Sequence, residues 1–115
     1  MTKLNQTAFS DLREIMEEEF SPLLELYIKD SDSRIEELTL HLEAADYESL
    51  RQTVHSFKGA SSNICAVELS QQAQKIEDAV KEQRTDGLSV AIDALKTEYL
   101  SVREELMIDI KNSNS

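Results

Sequence analysis

Apolar residues at Leu88, Ile92, Leu95, Tyr99, Val102 and Leu106 follow one another at alternating steps of four and three, the repeat of a single helix face. The same period upstream, in Leu69, Ala73, Ile76 and Val80, predicts a helix over 66–84 with Lys81 and Arg84 in its last turn, where cations complement the helix dipole. A third helix over about 47–63 begins behind Asp46, whose short carboxylate suits an N-cap. Before it, Ser21-Pro22 starts a long helix, with serine as the cap and proline in the first turn. Its stripe reads Leu24, Tyr27, Ile28, Ile35, Leu38 and Leu42, and Asp30-Ser31-Asp32-Ser33 interrupts it with weak helix formers that mark a candidate bend. A short first helix over about 7–18 turns Phe9, Leu12, Ile15 and Met16 inward. Thr85-Asp86-Gly87 reads as a turn, and the tail at 112–115 as frayed. Short connections between long amphipathic helices make antiparallel neighbours. The pattern therefore predicts an all-α protein: an up-down-up-down four-helix bundle with a short additional N-terminal helix.

Composition agrees. Two glycines, one proline and no tryptophan in 115 residues favour helix throughout. That length predicts one domain, 1–115, able to bury roughly 65% of its unfolded surface. A net charge of −11 argues against nucleic acid and against an anionic membrane surface as partners, since both need a basic patch. Residues 11–48 carry 13 acids against 3 bases, whereas residues 51–84 carry 5 bases against 4 acids. That near-neutral window is either a surface for an acidic partner or the ordinary scatter of solvated charges. Cys65 is the single cysteine, so no internal disulfide forms. The start, Met1 to Gln6, lacks the apolar core of a signal peptide. No apolar run approaches the roughly 20 residues of a membrane span. A cytoplasmic location is expected, and a monomer is the simplest state.

The third helix carries the candidate chemistry. Wound at about 100° per residue, Leu50, Val54, Phe57, Ser61 and Ile64 share the inward face, and His55 points about 150° away from its middle. Arg51, Lys58, Gly59 and Ser62 lie within about 60° of His55. Gly59 costs a helix interior about 1 kcal/mol relative to alanine. On this face it either clears space for a bulky phosphoryl group or a partner's backbone, or reflects tight packing or mere tolerance. Lys58 is either a cation for a phosphate on the ring or an ordinary solvent lysine. Ser62 either donates to the same oxygens or merely ends the helix.

The segment His55-Ser56-Phe57-Lys58-Gly59-Ala60-Ser61-Ser62-Asn63 resembles the signature of histidine phosphotransfer (HPt) domains. The lead-in Met16-Glu17-Glu18-Glu19-Phe20, the cap Asp46 and Leu69 are also similar, so the resemblance covers about 10–110. It implies a phosphorelay intermediate. The histidine's Nε2 accepts a phosphoryl group from the receiver domain of a hybrid sensor kinase and passes it to the receiver aspartate of a response regulator. By position, His55 is the phosphoacceptor, Lys58 the phosphate-side cation and Gly59 the clearance residue. The resemblance implies no cofactor on this chain, with Mg²⁺ on the partner receiver only, and no ATP site; no glycine-rich nucleotide loop is present. A stand-alone carrier is expected, not a kinase.

Two positions depart from the family pattern. A polar amide on the next helix often bonds the other ring nitrogen; the matching residue is Glu77, either an orienter of the ring or a solvated helix residue. Cys65 stands at a turn where glycine is common. Among rivals, a di-iron bundle needs Glu-x-x-His pairs, yet Leu38 and Gln52 precede His41 and His55 by three; His41 reads as a solvated helix residue. A hydrolase fails because Ser56 points about 100° from His55. An acidic helical adaptor that binds receivers without carrying phosphate is the remaining alternative.

Overall fold

The computed structural model describes residues 4–113; Met1 to Lys3 and the tail residues Asn114 and Ser115 lie outside the described residues. Helix α1 covers Gln6–Met16, and one turn of 3-10 helix, Glu17–Glu19, leads into α2, Phe20–Glu43. Helices α3, Tyr47–Asn63, α4, Val67–Lys81, and α5, Leu88–Ser113, follow. No strand occurs among the described residues.

Consecutive helices from α2 to α5 pack on one another, and α5 closes the ring on α2. The rod measures 45 × 22 × 22 Å. The inward stripe of α3 is buried throughout, as is that of α5 from Leu88 to Leu106, which Ile110 extends by one turn. Full burial of a side chain such as Leu50 or Phe57 is worth about 1.5–3 kcal/mol, so these stripes fix which way α3 faces. Beneath α3, the rings of Phe57, Tyr27 and Tyr99 meet at centroid distances of 5.8–6.5 Å. The Tyr27 hydroxyl pairs with Ser61 Oγ at 2.8 Å, which satisfies the one polar residue of the α3 stripe.

Several expectations are corrected. Ile15 is 78% exposed. Helix α1 touches the core along a narrow line of Phe9, Leu12 and Met16, with Phe9 edge-on to Phe20 at 5.1 Å, and Ile15 falls about 120° from Phe9. Helix α2 begins at Phe20 with no side-chain cap, because the 3-10 turn already aligns its first residues. Ser21 is therefore not the cap, although Pro22 still sits in the first turn. Helix α2 continues through Asp30 to Ser33, the candidate bend. Asp32 accepts from the Tyr99 hydroxyl at 2.6 Å and from Arg103 at 3.0 Å, and those bonds from α5 outweigh its weak helix propensity. The Arg103 bond, with Tyr99's help and against slight burial, holds the Asp32 carboxyl below its usual range. Helix α4 stops at Lys81, which leaves Arg84 beyond its last turn, on Glu82. At the other end α5 stays helical through Ser113.

Helices α2, α3 and α4 end in the same way. Ala45, Cys65 and Gln83 take left-handed φ of 54°, 66° and 58°, and the next amide bonds back to His41, Ser61 and Ala79 respectively, the Schellman arrangement that usually selects glycine. Cys65 thus adopts the backbone a glycine would, so the departure changes the residue and not the turn. Its carbonyl also accepts the Asn5 amide at 2.9 Å, tying the start of α1 to the α3–α4 connection. Burial, and then the Asp11 carboxylate, push its thiol pKa up, away from a reactive thiolate. Ala45 is exposed and has little to lose. Ala45→Gly is expected to raise stability by about 0.5–1 kcal/mol, read as a higher midpoint in urea at unchanged slope; a lower midpoint would show that the strain is absent.

Candidate phosphoacceptor site

Asp46 accepts the Ser49 amide at 3.1 Å and starts α3, so His55 falls two turns in, on rigid backbone. Its side chain is 61% exposed, opposite a fully buried stripe. Across the groove α4 runs antiparallel. Ser62 faces Ser70, Lys58 faces Gln74, and His55 faces Glu77, so each step along α3 matches a step back along α4.

Glu77 is the centre of the cluster. Only 1% of its side chain is exposed, yet both carboxylate oxygens are engaged. Oε2 lies 2.9 Å from His55 Nδ1, and Oε1 accepts from Lys58 Nζ at 2.8 Å. Lys81 Nζ stands 3.5 Å from Oε2. Burial alone would raise the Glu77 pKa; the hydrogen bonds and charges of Lys58 and His55 outweigh it and hold the carboxyl below its usual range. An ionised carboxylate only accepts, so Nδ1 carries the proton, and in the neutral ring the lone pair sits on Nε2. The fold thus selects one tautomer of the neutral ring.

Lys58 does not stand free in water. Its side chain is 22% exposed, and its ammonium donates to Gln74 Oε1 at 2.9 Å as well as to Glu77. Winding α3 places it at the edge of the outward face, and the buried charge of Glu77 draws it across to α4. Gln74 is held in turn by its own amide donating to Asp78 at 2.8 Å. Arg51 and Ser62 are not drawn to the ring: Arg51 bonds Glu48 at 2.6 Å, and Ser62 Oγ pairs with Ser70 Oγ at 2.6 Å. The charge of Glu77 still reaches Arg51, behind the nearer effects of Glu48. Of the residues singled out by sequence, His55, Lys58 and Glu77 meet, and Gly59 lies beside them. Gln74 and Lys81 join from α4. Their signal lay in the spacing, since Gln74 is three before Glu77 and Lys81 four after it, on one helix face.

Gly59 is exposed, and a Cβ built on it meets nothing within 4 Å. No atom of this fold requires glycine there, which removes tight packing as its explanation. Gly59→Ala is expected to add about 1 kcal/mol of stability. Gly59→Gln should fold equally well and yet slow phosphoryl transfer, because a long side chain one turn from His55 obstructs an approaching partner. Wild-type transfer by that variant in a rapid-quench assay would refute the clearance argument.

Among the described residues, no group of three His, Cys, Asp or Glu side chains is placed to hold a metal ion. Likewise, no helix of the described residues is long and apolar enough to cross a membrane.

The family model of the Hpt domain matches residues 22–105. The crystal structure of histidine-containing phosphotransfer protein B (HptB) from Pseudomonas aeruginosa superposes with a TM-score of 0.92 at 31% identity, covering 96% of each chain. Two plant structures share the fold. A putative histidine-containing phosphotransfer protein from rice has a TM-score of 0.79 at 19% identity, covering 93% of this chain and 82% of its own. One from maize has a TM-score of 0.81 at 21% identity, covering 93% and 84%. No curated protein sequence matches the chain.

Proposed function

This chain belongs to the Hpt domain family, a family of histidine phosphotransfer, and from that premise we propose that it is a phosphorelay intermediate carrying the phosphoryl group on Nε2 of His55. The observation that carries the assignment is the bond from Nδ1 to the buried carboxylate of Glu77, which leaves Nε2 as the nucleophile on an exposed ring.

The donor is the phosphorylated aspartate of a receiver domain in a hybrid sensor kinase. The Nε2 lone pair attacks phosphorus, the bond from phosphorus to the aspartyl oxygen breaks, and the aspartate leaves as a carboxylate. No proton need leave the ring. Nδ1 keeps its hydrogen, the phosphorylated ring gains positive charge, and the Glu77 carboxylate lies 2.9 Å away to stabilise it. Transfer to the aspartate of a response regulator is the same step reversed. The receivers supply Mg²⁺, and this chain contributes position, as phosphoryl transfer rewards. Lys58 has three N–H donors, two of them committed to Gln74 and Glu77. It locks the carboxylate that holds the ring, while Gly59 leaves room for the partner.

Incubation with a phosphorylated receiver tests the reading. The chain should take up a phosphate that is labile in acid and stable in alkali. A protein that binds receivers but stays unlabelled against a broad panel would be an adaptor, and the carrier reading would fall.

A further inference from the structure

Lys81 lies outside the family signature, and its placement differs from that of Lys58 in every respect that matters for charge. Lys58 is largely covered and makes two contacts of ordinary hydrogen-bond length. Lys81 is 54% exposed, and its ammonium stands 3.5 Å from Glu77 Oε2, beyond the usual range for such a bond. That oxygen is the one facing His55 Nδ1, so the Lys81 ammonium is a single carboxylate oxygen away from the ring. Leaving Glu77 costs it little, because its charge is already solvated and the contact is loose. In the antiparallel register that sets His55 opposite Glu77, the next turn of α4 puts Lys81 level with Arg51, on the side of the ring opposite Lys58.

Resting on the carrier reading, we propose that Lys81 is the mobile phosphate-binding cation of this site. It sits against Glu77 while His55 is bare and moves to a phosphoryl oxygen once Nε2 is loaded, while Lys58 stays on the carboxylate. A phosphoryl group brings strong acceptors and negative charge to a place where the nearest anion is already neutralised by Lys58. The cation free to answer it is the exposed one with the weaker hold. Its side chain, four residues after Glu77 on the same face, swings without disturbing either helix.

The test loads the full chain with phosphoramidate, a small donor that transfers its phosphoryl group to the ring and releases ammonia, so no receiver is needed. The 31P chemical shift of the phosphohistidine is then followed against pH. In Lys81→Ala the midpoint of phosphoryl protonation should rise by about 0.5–1 unit, Lys81→Arg should restore the wild-type midpoint, and circular dichroism should be unchanged in both. An unaltered midpoint in Lys81→Ala, or a midpoint moved by Lys58→Ala alone, would overturn the role of Lys81 while leaving the carrier reading intact. A wild-type chain that takes phosphate neither from this donor nor from a phosphorylated receiver would remove both.

Discussion

Replacing His55 by glutamine is expected to abolish phosphoryl uptake completely while leaving the fold in place. The ring is 61% exposed and is not part of the buried core, so its loss removes little buried apolar surface and little stability. The amide nitrogen of glutamine has its lone pair delocalised into the carbonyl and is no nucleophile, and no second histidine is placed to substitute. His41 lies near the end of α2, and among the described residues no side-chain hydrogen bond or ion pair like those at His55 prepares it for attack. The check is labelling from a phosphorylated receiver beside a urea melt of the same protein. Residual uptake at more than background would locate the acceptor elsewhere, and a collapsed melt would mean that His55 also holds the bundle together.

Replacing Glu77 by alanine is expected to damage both function and stability. The carboxylate is fully buried and pairs with two cations and the ring. Without it Lys58, mostly covered itself, has lost its ionic partner and a small void opens between α3 and α4. Leaving a part-buried charge unpaired costs about 2 kcal/mol, on the order of 10 °C in melting temperature for a domain of this size. Transfer should slow as well, since nothing then fixes Nδ1 as the protonated nitrogen. The acid limb of stability should change in a defined direction. Folding lowers the Glu77 pKa, so the unfolded chain binds the proton more readily. The stability it contributes is complete above its unfolded value, and it fades as pH falls through the lower folded value. Glu77→Gln should flatten that limb, and Asp32, held low by Arg103, should account for part of what remains. An alanine variant as stable and as fast as wild type would remove Glu77 from the account.

Much of the site was legible in sequence because α3 obeys local rules. Asp46 caps it, the apolar stripe has one period, and those two facts together fix which way His55 points. The apolar face of α5 from Leu88 to Leu106 followed from the same period. What escaped depends on how helices meet. The departure of Ile15 from the core reflects how narrow a contact α1 makes, and nothing in its own spacing reveals that. The end of α4 was hidden because Gln83, not glycine, takes the left-handed position. Asp32 reads only as a weak helix former until Tyr99 and Arg103 arrive from 67 and 71 residues away. The inward turn of Lys58 needs the α3–α4 register, since only then does a buried carboxylate stand opposite it.

The central proposition is that Glu77 dictates which ring nitrogen reacts. It is tested most directly by preparing the phosphorylated chain with 15N-labelled histidine and measuring which nitrogen of His55 couples to phosphorus. Coupling to Nε2, with a proton retained on Nδ1, is the predicted result. Phosphorus bound to Nδ1, or to any residue other than His55, would contradict it.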